Sequence, residues 1–228
     1  IMGGESQLQT GGTIMVQSGA SDTQMSGSID ASTAASTAAS GAITIGTGVS
    51  KTTSSGPIKL STGDASNGVA GDFILKTGDS TAGGGNIAMS AGSGDIANGG
   101  SVALSSGSSF EGVGGELSIQ AGSSETATGG AVQLLTGRSS SGSSGSMTIG
   151  SITTATGAGS GSVELMTGSA SQGSAGSLTV RSGKSQVGHG GYVSVVAGDS
   201  SSGGNGGSIQ FQAGSSSDMT GGSIQASS

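Results

Sequence analysis

The sequence predicts an all-β fold, a β-solenoid (β-helix) of about fifteen coils with about 15 residues per coil. Three observations predict it. An apolar pair with one residue between its members recurs along the whole chain, in most cases every fifteen residues. A glycine stands two residues before the first member of every pair, and a small residue followed by glycine closes nearly every one. Gly100-Ser101-Val102-Ala103-Leu104-Ser105-Ser106-Gly107 shows the pattern in full, and it restarts at Gly115-Glu116-Leu117-Ser118-Ile119.

The first apolar positions are Ile14, Ile29, Ile43, Ile58, Phe73, Ile87, Val102, Leu117, Val132, Met147, Val163, Leu178, Val193, Ile209 and Ile224. Each has a partner two residues on, such as Val16, Ile45, Leu60, Leu104, Leu165 and Phe211. Alternation with a period of two is the signature of a strand with one face turned inward. In the repeat at Ile209 the inward residues are Ile209, Phe211 and Ala213, and the outward ones Gln210 and Gln212. Outward positions vary freely (Thr44, Lys59, Ala103, Glu164), as a solvated face does.

Glycine then closes the strand, as at Gly19, Gly48, Gly107 and Gly214, where a positive φ or a tight corner is expected. Two repeats depart from this, with Ala34 and Ile152 in the closing position. The Gly- and Ser-rich return limb suits close backbone approach. Two apolar side chains stabilise far less than ordering fifteen residues costs, so no repeat folds alone. Stacking, with each strand paired above and below, is the expected solution. It predicts a thin Ile/Val/Leu core with Gly/Ser turns, and a rod of roughly 70 Å at about 4.8 Å per coil.

Composition narrows the alternatives. Fifty of the 228 residues are glycine, and there is one proline, which excludes collagen and polyproline. So many Gly and Ser suit a disordered linker, but a linker has no reason to place Ile and Val on a fixed period. Six Lys and Arg against thirteen Asp and Glu leave a net charge of −7 and no basic footprint for nucleic acid. No apolar run reaches membrane-spanning length, so no membrane insertion is expected. The absence of cysteine excludes disulfides and thiolate metal sites. Residues 1–228 read as a single continuous repeat array that starts and ends mid-repeat, from Ile1, in register with Val16, to Ala226-Ser227-Ser228. A window of a longer repeat protein is expected.

No chemistry-bearing motif emerges, and no catalytic, cofactor-binding or metal residue is assigned. His189, the one histidine, lies in a glycine run without partners, and an exposed loop residue is the favoured reading. Asp64, Asp79 and Asp199 follow closing glycines, but Ala20, Ser108, Arg138 and Lys184 occupy the same place, so a calcium β-roll is not indicated. Gly83-Gly84-Gly85 and Gly203-Gly204-Asn205-Gly206-Gly207 lack the Lys-Ser/Thr of a phosphate loop and are read as turns. No serine sits in a nucleophile elbow. Met89, Met147 and Met166 are read as core or near-core filling. No Asn begins an Asn-x-Ser/Thr triplet, so sugars on this chain would be O-linked to Ser and Thr.

Stretches such as Gly161-Ser162-Val163-Glu164-Leu165-Met166-Thr167-Gly168-Ser169-Ala170-Ser171 resemble the Gly/Ser/Thr-rich tandem repeats of secreted extracellular-matrix and cell-wall-associated proteins of diatoms and related algae. The likeness covers the whole chain. It implies a secreted, structural or adhesive role.

The expected function is structural: an extracellular filament or matrix extended by end-to-end stacking of coils. Its expected partners are copies of the same chain, with a carbohydrate matrix or O-linked glycans as further candidates. An ice-binding β-solenoid is the first alternative, although Met15, Lys59, Glu164 and Gln210 do not form the regular threonine array it needs. The rigid spacer rod of a surface adhesin is the second.

Overall fold

The computed structural model of the chain describes residues 1–154, 159–201 and 203–227. Ser228, the last residue of the array, lies outside the described residues. Among the described residues there is no helix and no strand. Nor is any hydrophobic residue buried among them. The β-solenoid with its Ile/Val/Leu core is therefore not the fold of this chain.

Surface area measures the difference. A folded protein of 21.0 kDa exposes about 9,000 Å², and its unfolded chain about 30,000 Å². This chain exposes 22682 Å². It buries roughly a third of what a compact domain of its mass buries. The reason lies in the repeat itself. Two sizeable apolar side chains in fifteen residues, diluted by glycine, supply too little apolar surface to offset the ordering of the backbone, even where neighbours lie close in sequence.

The fifteen-residue step survives as a local pattern of arm and loop. Each apolar pair lies on an arm without turn or bend, and among the described residues a run of bends follows at the same place in most repeats, at residues 22–24, 95–97, 110–112, 125–127, 186–188 and 217–219 among others. The residues read as inward are the more shielded side of the arm: Ile14 is 49% exposed against 80% for its neighbour Met15. Loop residues such as Ile96 and Phe110 are wholly in water. The most shielded positions include Ser18, Thr77, Ala121, Ala197 and Ala213, the small third residue of the inward set.

The chain divides into two larger units. Among the described residues, Ile1–Leu117 holds four loops closed at the base by a glycine pair, Gly4/Gly12, Gly19/Gly27, Gly92/Gly100 and Gly107/Gly115. Ser118–Ser228 holds five, Gly122/Gly130, Gly137/Gly145, Gly183/Gly191, Gly198/Gly207 and Gly214/Gly222. In each the later glycine N–H donates to the earlier carbonyl oxygen, at 2.8 to 3.1 Å.

In the closed loops, the closure accounts for the glycine before the arm. A Cβ on Gly115 would stand 3.3 Å from the amide nitrogen and the carbonyl oxygen of Gly107 and from the Ser106 Cβ. A Cβ on Gly130 would meet Ala121 and Gly122 at 3.3 to 3.4 Å. The arm-closing glycines are different. At Gly107 or Gly122 a Cβ would meet nothing within 4 Å. Among the described residues the positive-φ glycines are Gly173 and Gly203, both inside loops, so the arm-closing glycines do not supply the left-handed backbone expected of them.

Candidate functional site

With no pocketed chemistry to follow, the surface of the repeat is the place to look, and it is built from two devices. The first is the glycine closure. The second is a serine two residues after the loop-opening glycine, whose hydroxyl oxygen accepts a hydrogen bond from an amide N–H three residues on. Gly112 donates to Ser109 Oγ at 2.8 Å, Ala127 to Ser124 Oγ at 3.0 Å, Gly188 to Ser185 Oγ at 2.9 Å and Met219 to Ser216 Oγ at 2.9 Å. This local turn is what the short hydroxyl side chain is suited to. Sequence reasoning passed over these serines because serine is abundant everywhere; the signal was their fixed distance from the preceding glycine.

Closure depends on the residue before the loop-opening glycine. Eight closed loops have Gly, Ala or Ser there (Gly3, Ser18, Ala91, Ser106, Ala121, Ser182, Ala197, Ala213), with bonds of 2.8 to 3.0 Å. Thr136 precedes the ninth, and that bond is the longest at 3.1 Å. Thr33, Thr47, Thr62, Thr77 and Thr167 precede loops with no such bond among the described residues.

At two of the open loops the threonine side chain stands between the backbones. At Gly56 and Gly71 the atom facing an added Cβ is the threonine methyl of Thr47 or Thr62, at 4.0 Å, with the backbone of the partner glycine beyond that. The methyl lies between the two backbones at these loops, whereas the loop after Thr136 closes with the longest bond of the set. Two of these five loops, ending at Gly41 and Gly85, are also one residue shorter, but those ending at Gly56, Gly71 and Gly176 have the usual length, so the preceding threonine is what the five share. At Thr77 the hydroxyl donates to the Gly85 carbonyl oxygen at 3.1 Å instead.

The residues weighed for chemistry lie apart. Asp79 is ion-paired to Lys76 at 3.1 Å, on the surface. His189 is exposed, in the loop closed by Gly183 and Gly191 and tightened by Ser182 Oγ, which donates to the Gly191 carbonyl oxygen at 2.8 Å. A shallow depression of about 390 Å³ at the base of this loop is lined by Arg181, Ser182, Gly183 and Lys184. Two exposed cations without an opposing acid or a shaped wall do not make a catalytic site. Among the described residues no three His, Asp or Glu side chains come together as a metal site, and no helix is long and apolar enough to cross a membrane. The methionines read as core filling are exposed like their neighbours: Met89 and Met147 lie on the shielded side of their arms, Met166 on the other.

Comparison adds no relative. No family model, no curated protein and no solved structure matches the chain.

The arms themselves are the largest chemical feature of the surface. The first residue of each apolar pair is about half exposed, from Ile209 at 47% to Ile224 at 64%. The second is about two-thirds exposed. Exposed apolar groups in such regular repetition are what a partner surface would cover.

Proposed function

We propose that this chain is a structural protein, not an enzyme, whose copies associate through their apolar arms to build a filament or matrix outside the cell. The single observation that carries the reading is the exposure of every apolar pair along the chain. Each pair is on one side of an extended arm, so a second arm laid against it removes both residues from water together. Association then provides the apolar burial that one chain lacks, and ordering and assembly occur in one step. The extracellular placement rests on the likeness of the repeat to matrix and cell-wall repeats. Hydroxyl groups on the loops suit O-linked glycans or a carbohydrate matrix as further partners.

End-to-end stacking of solenoid coils is not the means of assembly in this reading. The ice-binding and spacer-rod alternatives both needed the rigid face or rod of a solenoid and lose that support. Electron microscopy of the concentrated full chain tests the proposal. Filaments or a continuous network are the expected result. Separate particles at every concentration would rule it out.

A further inference from the structure

We infer that assembly starts in one segment, Thr33 to Gly85, and that its occupant is the same segment of a second copy. The inference rests on the self-association proposed above and specifies where it begins. Four consecutive loops fall in this segment, and each follows a threonine: Thr33, Thr47, Thr62 and Thr77. Their closing bonds are not made. The N–H groups of Gly41, Gly56, Gly71 and Gly85, and the carbonyl oxygens of Ala34, Gly48, Gly63 and Gly78, have no protein partner among the described residues.

Unpaired backbone on an extended chain is a template for another extended chain. Elsewhere in Ile1–Leu117 the loops at Gly12, Gly27, Gly100 and Gly115 have used these groups on themselves. The same segment carries three apolar pairs, Ile43/Ile45, Ile58/Leu60 and Phe73/Leu75, and Ile87/Met89 follows directly after it.

Charge selects the occupant. The chain as a whole carries −7, so two copies repel. Within residues 33–85, Lys51, Lys59 and Lys76 stand against Asp64, Asp72 and Asp79, a net charge of zero. One of these pairs, Lys76 and Asp79, already meets within the chain. A segment with equal numbers of both signs has no net repulsion toward a copy of itself. Open backbone, apolar arms and balanced charge coincide here.

The test compares full chains by light scattering across a concentration series, with amide hydrogen exchange on the associated material. In one variant Thr33, Thr47, Thr62 and Thr77 are all replaced by Ser, the residue found before closed loops at 18, 106 and 182. A second variant carries Ala at the four positions. A control carries Thr136→Ser and Thr167→Ser. Closing the four loops is expected to raise the concentration of half-association about fivefold or more, with the control near wild type. Exchange protection in the wild type is expected first at residues 33–85. Unchanged association of both fourfold variants, or first protection outside 33–85, would overturn the inference while leaving self-association standing. A wild-type chain that never associates would remove the proposed function itself.

Discussion

The Gly115 N–H donates to the carbonyl oxygen of Gly107 at 2.8 Å, and the two backbones are so close that a Cβ on Gly115 would stand 3.3 Å from both polar atoms of Gly107. The reverse does not hold, since a Cβ on Gly107 meets nothing within 4 Å. Gly115→Ala should therefore open the loop, whereas Gly107→Ala should leave it closed. The amide temperature coefficient of residue 115, read by NMR, distinguishes the two. Equal effects of both substitutions would count against the steric account of the closure.

Threonine before the loop-opening glycine should shift the balance toward the open loop. Thr62→Ala is expected to bring Gly71 to Gly63, and Ala121→Thr to part Gly130 from Gly122. One exposed backbone bond is at stake, so the closed population should move by a factor of about 2 to 5 in each direction. Slowed exchange at Gly71 and quickened exchange at Gly130 are the readouts.

The serine turn makes a separate, smaller contribution. Ser109 Oγ accepts the Gly112 N–H at 2.8 Å. Ser109→Ala should release that amide at a cost of about 0.5 kcal/mol, without opening the Gly107–Gly115 pair. Chemical shifts of Gly112 and Gly115 in one spectrum test both halves of the statement.

The ion pair between Lys76 and Asp79 should be nearly silent. Both side chains are largely in water, and exposed pairs contribute about 0–1 kcal/mol. Lys76→Ala is expected to leave exchange in the Gly78–Gly85 loop unchanged in the unassociated chain. Long-range charge should be visible instead in assembly, where added salt screens the −7 of each copy and favours association.

Much of the local structure was legible in the residues. The fifteen-residue step, the apolar side of each arm and the glycine before it all appear where the alternation placed them. Ile14 is more shielded than Met15 because they point to opposite sides of an extended arm. What covers that arm was not legible. Period-two alternation states that Val102 and Leu104 share a face; it says nothing of whether a neighbouring repeat or another molecule lies against it. The inferred stack needed ladder bonds between repeats, and the hydrogen bonds formed run instead across single loops, from Gly100 to Gly92 and Gly115 to Gly107. The correlate of closure was present in the sequence as an alternation of Thr with Ser, Ala and Gly at one position, with Thr136 as the exception. Its meaning needed the backbone geometry, because only there does the methyl of Thr47 face Gly56.

The central claim, that the arms lie uncovered in one chain and are covered by copies, is tested most directly by amide hydrogen exchange of the full chain at low and at high concentration. The account predicts little protection of the arms at low concentration, Val102 to Leu104 and Val132 to Leu134 among them, and strong protection once scattering shows association. Equal and strong protection of the arms at both concentrations would show that one chain covers its own arms, and would contradict it.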